Sequence, residues 1–137
     1  MFEAPKNLKV LNGKEIELKE EDSFVIPSYV TKLNNHLFRY SKFTSISFET
    51  TSLKELPKYC FSLCRQLKEI IIPFGITKLG HGCFSYCWNL SRITIPSSVV
   101  EIDKQCFEYC KNLKTIELPT TIKKFGKNCF FDSGIKQ

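Results

Sequence analysis

Residue types that often carry chemistry are scarce in this 137-residue chain. It has one Met, one Trp and two histidines, His36 and His81. Its only arginines are Arg39, Arg65 and Arg92. Two imidazoles leave little for a metal centre, and no G-x-S-x-G or phosphate-cradling glycine loop is present. Nucleic-acid binders concentrate Lys and Arg on one face and interleave stacking aromatics. Here the net charge of +6, from 20 basic and 14 acidic residues, is spread as single lysines. The tightest runs are Lys111/Lys114 and Lys123/Lys124/Lys127, so a solvated surface with positive excess is the expectation. No apolar run approaches the roughly 18 residues that cross a bilayer. The first residues lack an apolar signal region and turn acidic at Glu20, Glu21 and Asp22. A cytoplasmic location is therefore expected, the alternative being the periphery of a cell surface by a route not visible in sequence.

Other residues are abundant. Hydrophobic residues make up 42%, enough for a core in a single domain. Twelve Phe point to one aromatic position used repeatedly, and seven Cys, an odd number, point to reduced thiols. Both excesses come from an internal repeat. Ile70, Ile93 and Ile116 open copies spaced 23 residues apart, with Pro73, Pro96 and Pro119, then Phe84, Phe107 and Phe130, on the same period. Cys83/Cys87 and Cys106/Cys110 repeat with them. A looser copy over 46–69 keeps Cys60, Phe61, Cys64 and Leu67, and another over 24–45 keeps Pro27, Val30, Leu33 and Phe38.

One copy describes its own local structure. Ile93-Thr94-Ile95-Pro96 alternates apolar and polar residues and then stops, as expected of a short strand ended by a residue without an N–H. Val99 and Ile102 supply further inward positions, while Cys106, Phe107, Cys110 and Leu113 have the spacing of one face of a short 3₁₀ or α turn. A single copy cannot close a core, but stacked parallel copies can. Stacking aligns Ile46, Ile70, Ile93 and Ile116 in one ladder and Phe48, Ile72, Ile95 and Leu118 in a second. Phe38, Phe61, Phe84, Phe107 and Phe130 then form an aromatic spine.

The pattern C-x-x-L-x-x-I-x-I-P-x-x-V-x-x-I-x-x-x-x-F runs through Cys87, Leu90, Ile93, Ile95, Pro96, Val99, Ile102 and Phe107. It resembles the BspA-like leucine-rich repeats over residues 24–137. The resemblance implies an α/β repeat fold: a right-handed leucine-rich-repeat solenoid with a parallel concave β-sheet and short 3₁₀/α turns on the convex side. It also implies an interaction protein without family catalytic residues, many members acting at cell surfaces and some on host matrix proteins. This chain departs from the family in two ways. It shows no secretion signal or anchor, and it has Cys60, Cys83, Cys106 and Cys129 where Ala is common.

Cys-x₃-Cys at 60/64, 83/87 and 106/110 raises zinc binding, disulfides between rungs, or buried thiols packing as small hydrophobes. The third reading is preferred, because each cysteine falls on a core position. A Cys83–His81 nucleophile needs an exposed thiolate, and neighbouring copies fill the same slot without a histidine. Neither catalytic residue, metal nor cofactor is expected. Asn89-Leu90-Ser91 matches a glycosylation sequon, silent without export.

The remaining candidates are outward strand positions: Val25, Ser47, Ile71, Thr94 and Glu117 in one row, and Ser45, Glu69, Arg92 and Thr115 in the next. The expectation is a protein-binding scaffold using this face, with adhesion to host or matrix proteins as the alternative and a Cys-based enzyme as a further one. Residues 1–23 are expected to cap the solenoid as a hairpin around Asn12-Gly13, and 24–137 to hold about five repeats of 22–24 residues, the last incomplete. The last rung should lack a cap, a route to a homo-oligomer.

Overall fold

The computed structural model describes residues 8–11, 14–17, 23–49 and 52–136. Strands β1 (Leu8–Leu11) and β2 (Lys14–Glu17) pair antiparallel, with Leu11 opposite Lys14; the expected turn residues Asn12 and Gly13 lie outside the described residues. The rest of the expected capping segment before Ser23 lies outside the described residues.

From Ser23 onward the chain coils as a parallel β-solenoid of about four turns, with two four-stranded sheets along its length. The strands are β3 (Ser23–Ile26), β4 (Ser45–Phe48), β5 (Glu55–Leu56), β6 (Glu69–Ile71), β7 (Lys78–Leu79), β8 (Arg92–Thr94), β9 (Glu101–Ile102) and β10 (Lys124–Phe125). The first sheet runs β3-β4-β6-β8 and the second β5-β7-β9-β10. Register follows the repeat: Ile46 sits beside Ile70, Ile70 beside Ile93, and Leu79 beside Ile102. The carbonyls of Pro27, Pro73, Pro96 and Pro119 accept from the N–H three residues on, so each proline anchors a turn, and the first three follow a strand of the first sheet. The strands of the first sheet open near residues 23, 45, 69 and 92, one to each turn.

Between the sheets and the turn side lies one core. The five repeated phenylalanines stack face to face at 5.4, 5.4, 5.6 and 5.5 Å, planes within 8° of parallel. Such pairs add about 0.5–1.5 kcal/mol each beyond the area they bury.

Two expectations need correction. The described residues contain no helix, so the turn side is not 3₁₀ or α. Every second N–H makes a local bond, such as Cys83 to Gly80, Ser85 to Gly82 and Cys87 to Phe84. The N–H groups between them leave the rung, Gly82 donating to Lys104, Phe84 to Cys106 and Tyr86 to Glu108. This alternation needs left-handed backbone every fourth residue, found at His36 and Tyr40, Tyr59 and Leu63, Gly82 and Tyr86, Gln105 and Tyr109, and Asn128 and Asp132. A positive φ at that interval stops a helix from propagating. The spacing of the buried residues mimics a helical face, but the bonds run between rungs.

The second correction concerns the ladders. Residues 115–118 form no strand, Ile116 is half-buried and Leu118 is exposed, so both ladders stop at β8. A strand in a stack gains bonds and contacts from both neighbours. Residues 115–118 have a described neighbour on one side only.

Candidate functional site

The first sheet places the predicted site residues by strict alternation. Val25 pairs with Ser47, Ser45 with Glu69, Glu69 with Arg92, and Ile71 with Thr94, bringing seven of them onto one outward face. Thr115 and Glu117 are exposed beside this face on the segment that does not pair with β8. Hydroxyls and one ion pair supply its polarity. Ser23 and Ser45 share a hydrogen bond of 2.7 Å, and Arg92 Nη1 lies 3.7 Å from Glu69 Oε2 with both side chains mostly exposed.

A groove of about 400 Å³ runs across this face, bordered by Glu69, Ile71, Arg92, Thr94, Thr115 and Glu117. Ile71 projects at its edge, 68% exposed. Phe74, three residues on, is 74% exposed and was missed in the sequence. The signal was present, because a large apolar residue follows Pro73 where Ser97 follows Pro96 and Thr120 follows Pro119.

The cysteines are far from this face. All seven are free and buried, in two columns. Cys64, Cys87 and Cys110 donate S–H···O bonds of 3.1 Å to the carbonyls of Phe38, Phe61 and Phe84 in the preceding rung. Cys60, Cys83, Cys106 and Cys129 fill the space beside the stacked rings. Burial holds these thiols protonated: the Cys83, Cys87, Cys106 and Cys110 groups are raised well above their ordinary value, with adjacent thiols adding to the effect. Cys129, near the last rung's face, is pushed up to about 12 by desolvation. His81 turns away from Cys83, its Nε2 lying 2.7 Å from Gln105 Oε1 and 3.3 Å from Tyr59 Oη. Among the described residues no three His, Cys, Asp or Glu side chains gather as a metal site. Nor is any described helix long and apolar enough to cross a membrane.

Parallel strands, a repeating inward Leu/Ile/Phe set and an exposed sheet face define a leucine-rich-repeat solenoid. The family profile described as the BspA type leucine rich repeat region matches residues 16–137 in six copies, and the chain belongs to that family. Its fold is similar to that of a leucine-rich repeat protein from Eubacterium ventriosum, at 27% identity and TM-score 0.79, covering 88% of this chain and 32% of that one. A T. pallidum leucine-rich repeat protein aligns at 24% identity and TM-score 0.80, over 87% and 58% of the two chains. A leucine-rich cell surface protein of Faecalibacterium prausnitzii aligns at 19% and 0.64, over 95% and 46%. The chain thus spans between about a third and three fifths of these solved proteins. No curated protein matches it significantly in sequence.

Proposed function

We propose that this chain is a non-catalytic protein-interaction module that binds through the outward face of β3-β4-β6-β8, the concave side of a right-handed solenoid, in an adaptor or regulatory role. The observation that carries this reading is Ile71, 68% exposed at the edge of the groove that Arg92 borders, with Phe74, three residues on, 74% exposed. Fully burying one such side chain against a partner contributes about 1.5–3 kcal/mol. Arg and aromatic side chains are the usual anchors of such contacts. Rigid rungs hold the face preformed, so little ordering entropy opposes association.

The test is affinity capture with the wild-type chain and with the double variant Ile71→Glu, Arg92→Glu. A partner retained by wild type and lost by the variant supports the face as the site. Equal capture by both removes it.

A second reading is contact with host or matrix proteins from a cell surface, the setting named for the F. prausnitzii protein. The cytoplasmic reading rests on the N-terminal residues alone. Localising the tagged protein by surface protease accessibility separates the two.

A further inference from the structure

We propose that a strip centred on Trp88, where the chain leaves the turn side for the first sheet, is a second binding site, separate from the outward sheet face, and that its ligand is a linear acidic polysaccharide. Successive turns round this corner with the same step after the second cysteine: Arg65-Gln66-Leu67, Trp88-Asn89-Leu90 and Lys111-Asn112-Leu113. Each leucine is buried, and its N–H donates to the carbonyl of the cysteine three residues back. The two residues before it are left on the surface, in two columns that climb one rung, about 4.8 Å, per residue. One column is Arg65, Trp88 and Lys111, and the other is Gln66, Asn89 and Asn112. All three steps lie in turns with a described neighbour on either side.

The strip is held in place by its own contacts. Arg65 Cζ lies 4.5 Å from the centre of the Trp88 ring, and Asn89 Nδ2 donates to the Arg65 carbonyl at 2.8 Å. Asn112 Nδ2 donates to Asn89 Oδ1 at 3.2 Å, which lines the amides up. Lys111 is drawn off towards Asp132, 2.7 Å from its Nζ, so no second cation or ring among the described residues covers the other face of the indole. Trp88 is 41% exposed. The Trp88 Nε1–H, the Arg65 guanidinium N–H groups and Asn112 Oδ1 have no protein partner among the described residues.

Each feature answers part of a charged sugar. An open indole face packs on the C–H face of a pyranose ring, and amides that both donate and accept meet its hydroxyls. A guanidinium edge forks onto a carboxylate or a sulfate. Lys68 and Lys114 are exposed on the same corner, which favours an anionic chain over a neutral one. Columns that run along the solenoid repeat these contacts from rung to rung, as a polymer does. The strip suits other partners less well. A protein interface needs an apolar centre, and Trp88 is the strip's one exposed large hydrophobic. A single-stranded nucleic acid needs an aromatic face for several bases, and the strip offers one.

Trp88 is the only tryptophan, so its fluorescence reports on the site directly. The full chain is titrated at physiological salt with polygalacturonate and with chondroitin sulfate, against dextran and poly-glutamate. The expected result is a saturable change in emission with at least one acidic polysaccharide, and a response to one alone separates carboxylate from sulfate recognition. Dextran should leave the emission unchanged, and poly-glutamate should bind at least about tenfold more weakly. Arg65→Gln should weaken polysaccharide binding about tenfold. Trp88→Ala, followed by calorimetry, should weaken it at least as much, while Ile71→Thr on the outward sheet face should bind as wild type does. No change with either acidic polysaccharide would overturn the proposal. So would poly-glutamate binding as tightly as the polysaccharides, or undiminished binding by Arg65→Gln. Tighter binding of a single-stranded DNA oligonucleotide would also overturn it and assign the strip to nucleic acid.

Discussion

Phe107 and Phe130 occupy the same slot in adjacent rungs and stack at 5.5 Å, yet Phe107 is wholly buried and Phe130 only in part. The neighbouring positions repeat the contrast. Ile102 is buried and Phe125 is 49% exposed; Ile95 is 7% exposed and Leu118 36%. The chemical pattern of the two rungs is nearly the same, so the difference comes from the next rung along. In a solenoid each rung's burial and strand pairing are supplied largely by its neighbours. A rung flanked on both sides is core, and one with a described neighbour on one side is surface.

Raising the pH should stress the interior rungs most. A thiol whose folded value lies above its unfolded value of 9.0 keeps its proton in the fold and loses it on unfolding. Below pH 9 this costs nothing; above it, stability falls by about 1.4 kcal/mol per pH unit for each buried thiol, until each folded value is reached. With the interior thiols all raised, the urea midpoint should drop sharply between pH 8 and pH 10. An unchanged midpoint would mean that the thiols are accessible, and the distinction between interior and last-rung cysteines would disappear.

Truncating the aromatic spine tests the same contrast directly. Phe84→Ala removes a ring stacked on both faces and should cost about 3–5 kcal/mol. Phe130→Ala removes one stacked on a single described face and should cost less than half as much, by urea unfolding followed by circular dichroism. Equal losses would show that the last rung is packed as tightly as the interior.

The two cysteine columns should behave alike. The Cys83 thiol, like that of Cys87, hydrogen-bonds the Phe61 backbone in the preceding rung. A serine hydroxyl at either position can keep that bond, so each substitution should cost about 0.5–1.5 kcal/mol by urea unfolding, and Cys87→Ser no more than Cys83→Ser. The Cys87 column carries Ser41 and Ser133 in the first and last rungs.

Most of the fold was legible because its period is fixed by packing. Pro73 and Pro96, the phenylalanines and Ile46, Ile70 and Ile93 could be aligned from the sequence and lie where the alignment puts them. The turn side was misread because residues that face the core at spacings of one, four and seven look alike in a helix and in a turn with left-handed backbone at Gly82 and Tyr86. Only hydrogen-bond direction separates the two, and side-chain spacing carries no record of it. Ile116 and Leu118 were misplaced because strand pairing depends on a neighbour, which a residue's own identity does not encode. On the outward face, alternation alone placed Val25, Ser47, Ile71 and Thr94. Phe74 escaped because it follows the proline that ends the strand pattern.

The smallest effects should come from the outward face, and their smallness is what makes binding tests there readable. Glu69 and Arg92 pair at 3.7 Å with 59% and 78% of their side chains exposed, a geometry in which solvent screens most of the attraction. Arg92→Glu should therefore shift unfolding by no more than about 0.5 kcal/mol. Ile71→Glu should do the same, since its 68% exposure leaves little packing to lose. Thermal unfolding of both variants checks this before any partner is tested. If either unfolds well below wild type, the face is bracing the sheet as well as presenting it. Loss of a partner by the double variant would then have to be repeated with milder changes, Ile71→Thr and Arg92→Gln, which keep the strand's β-branched and polar pattern.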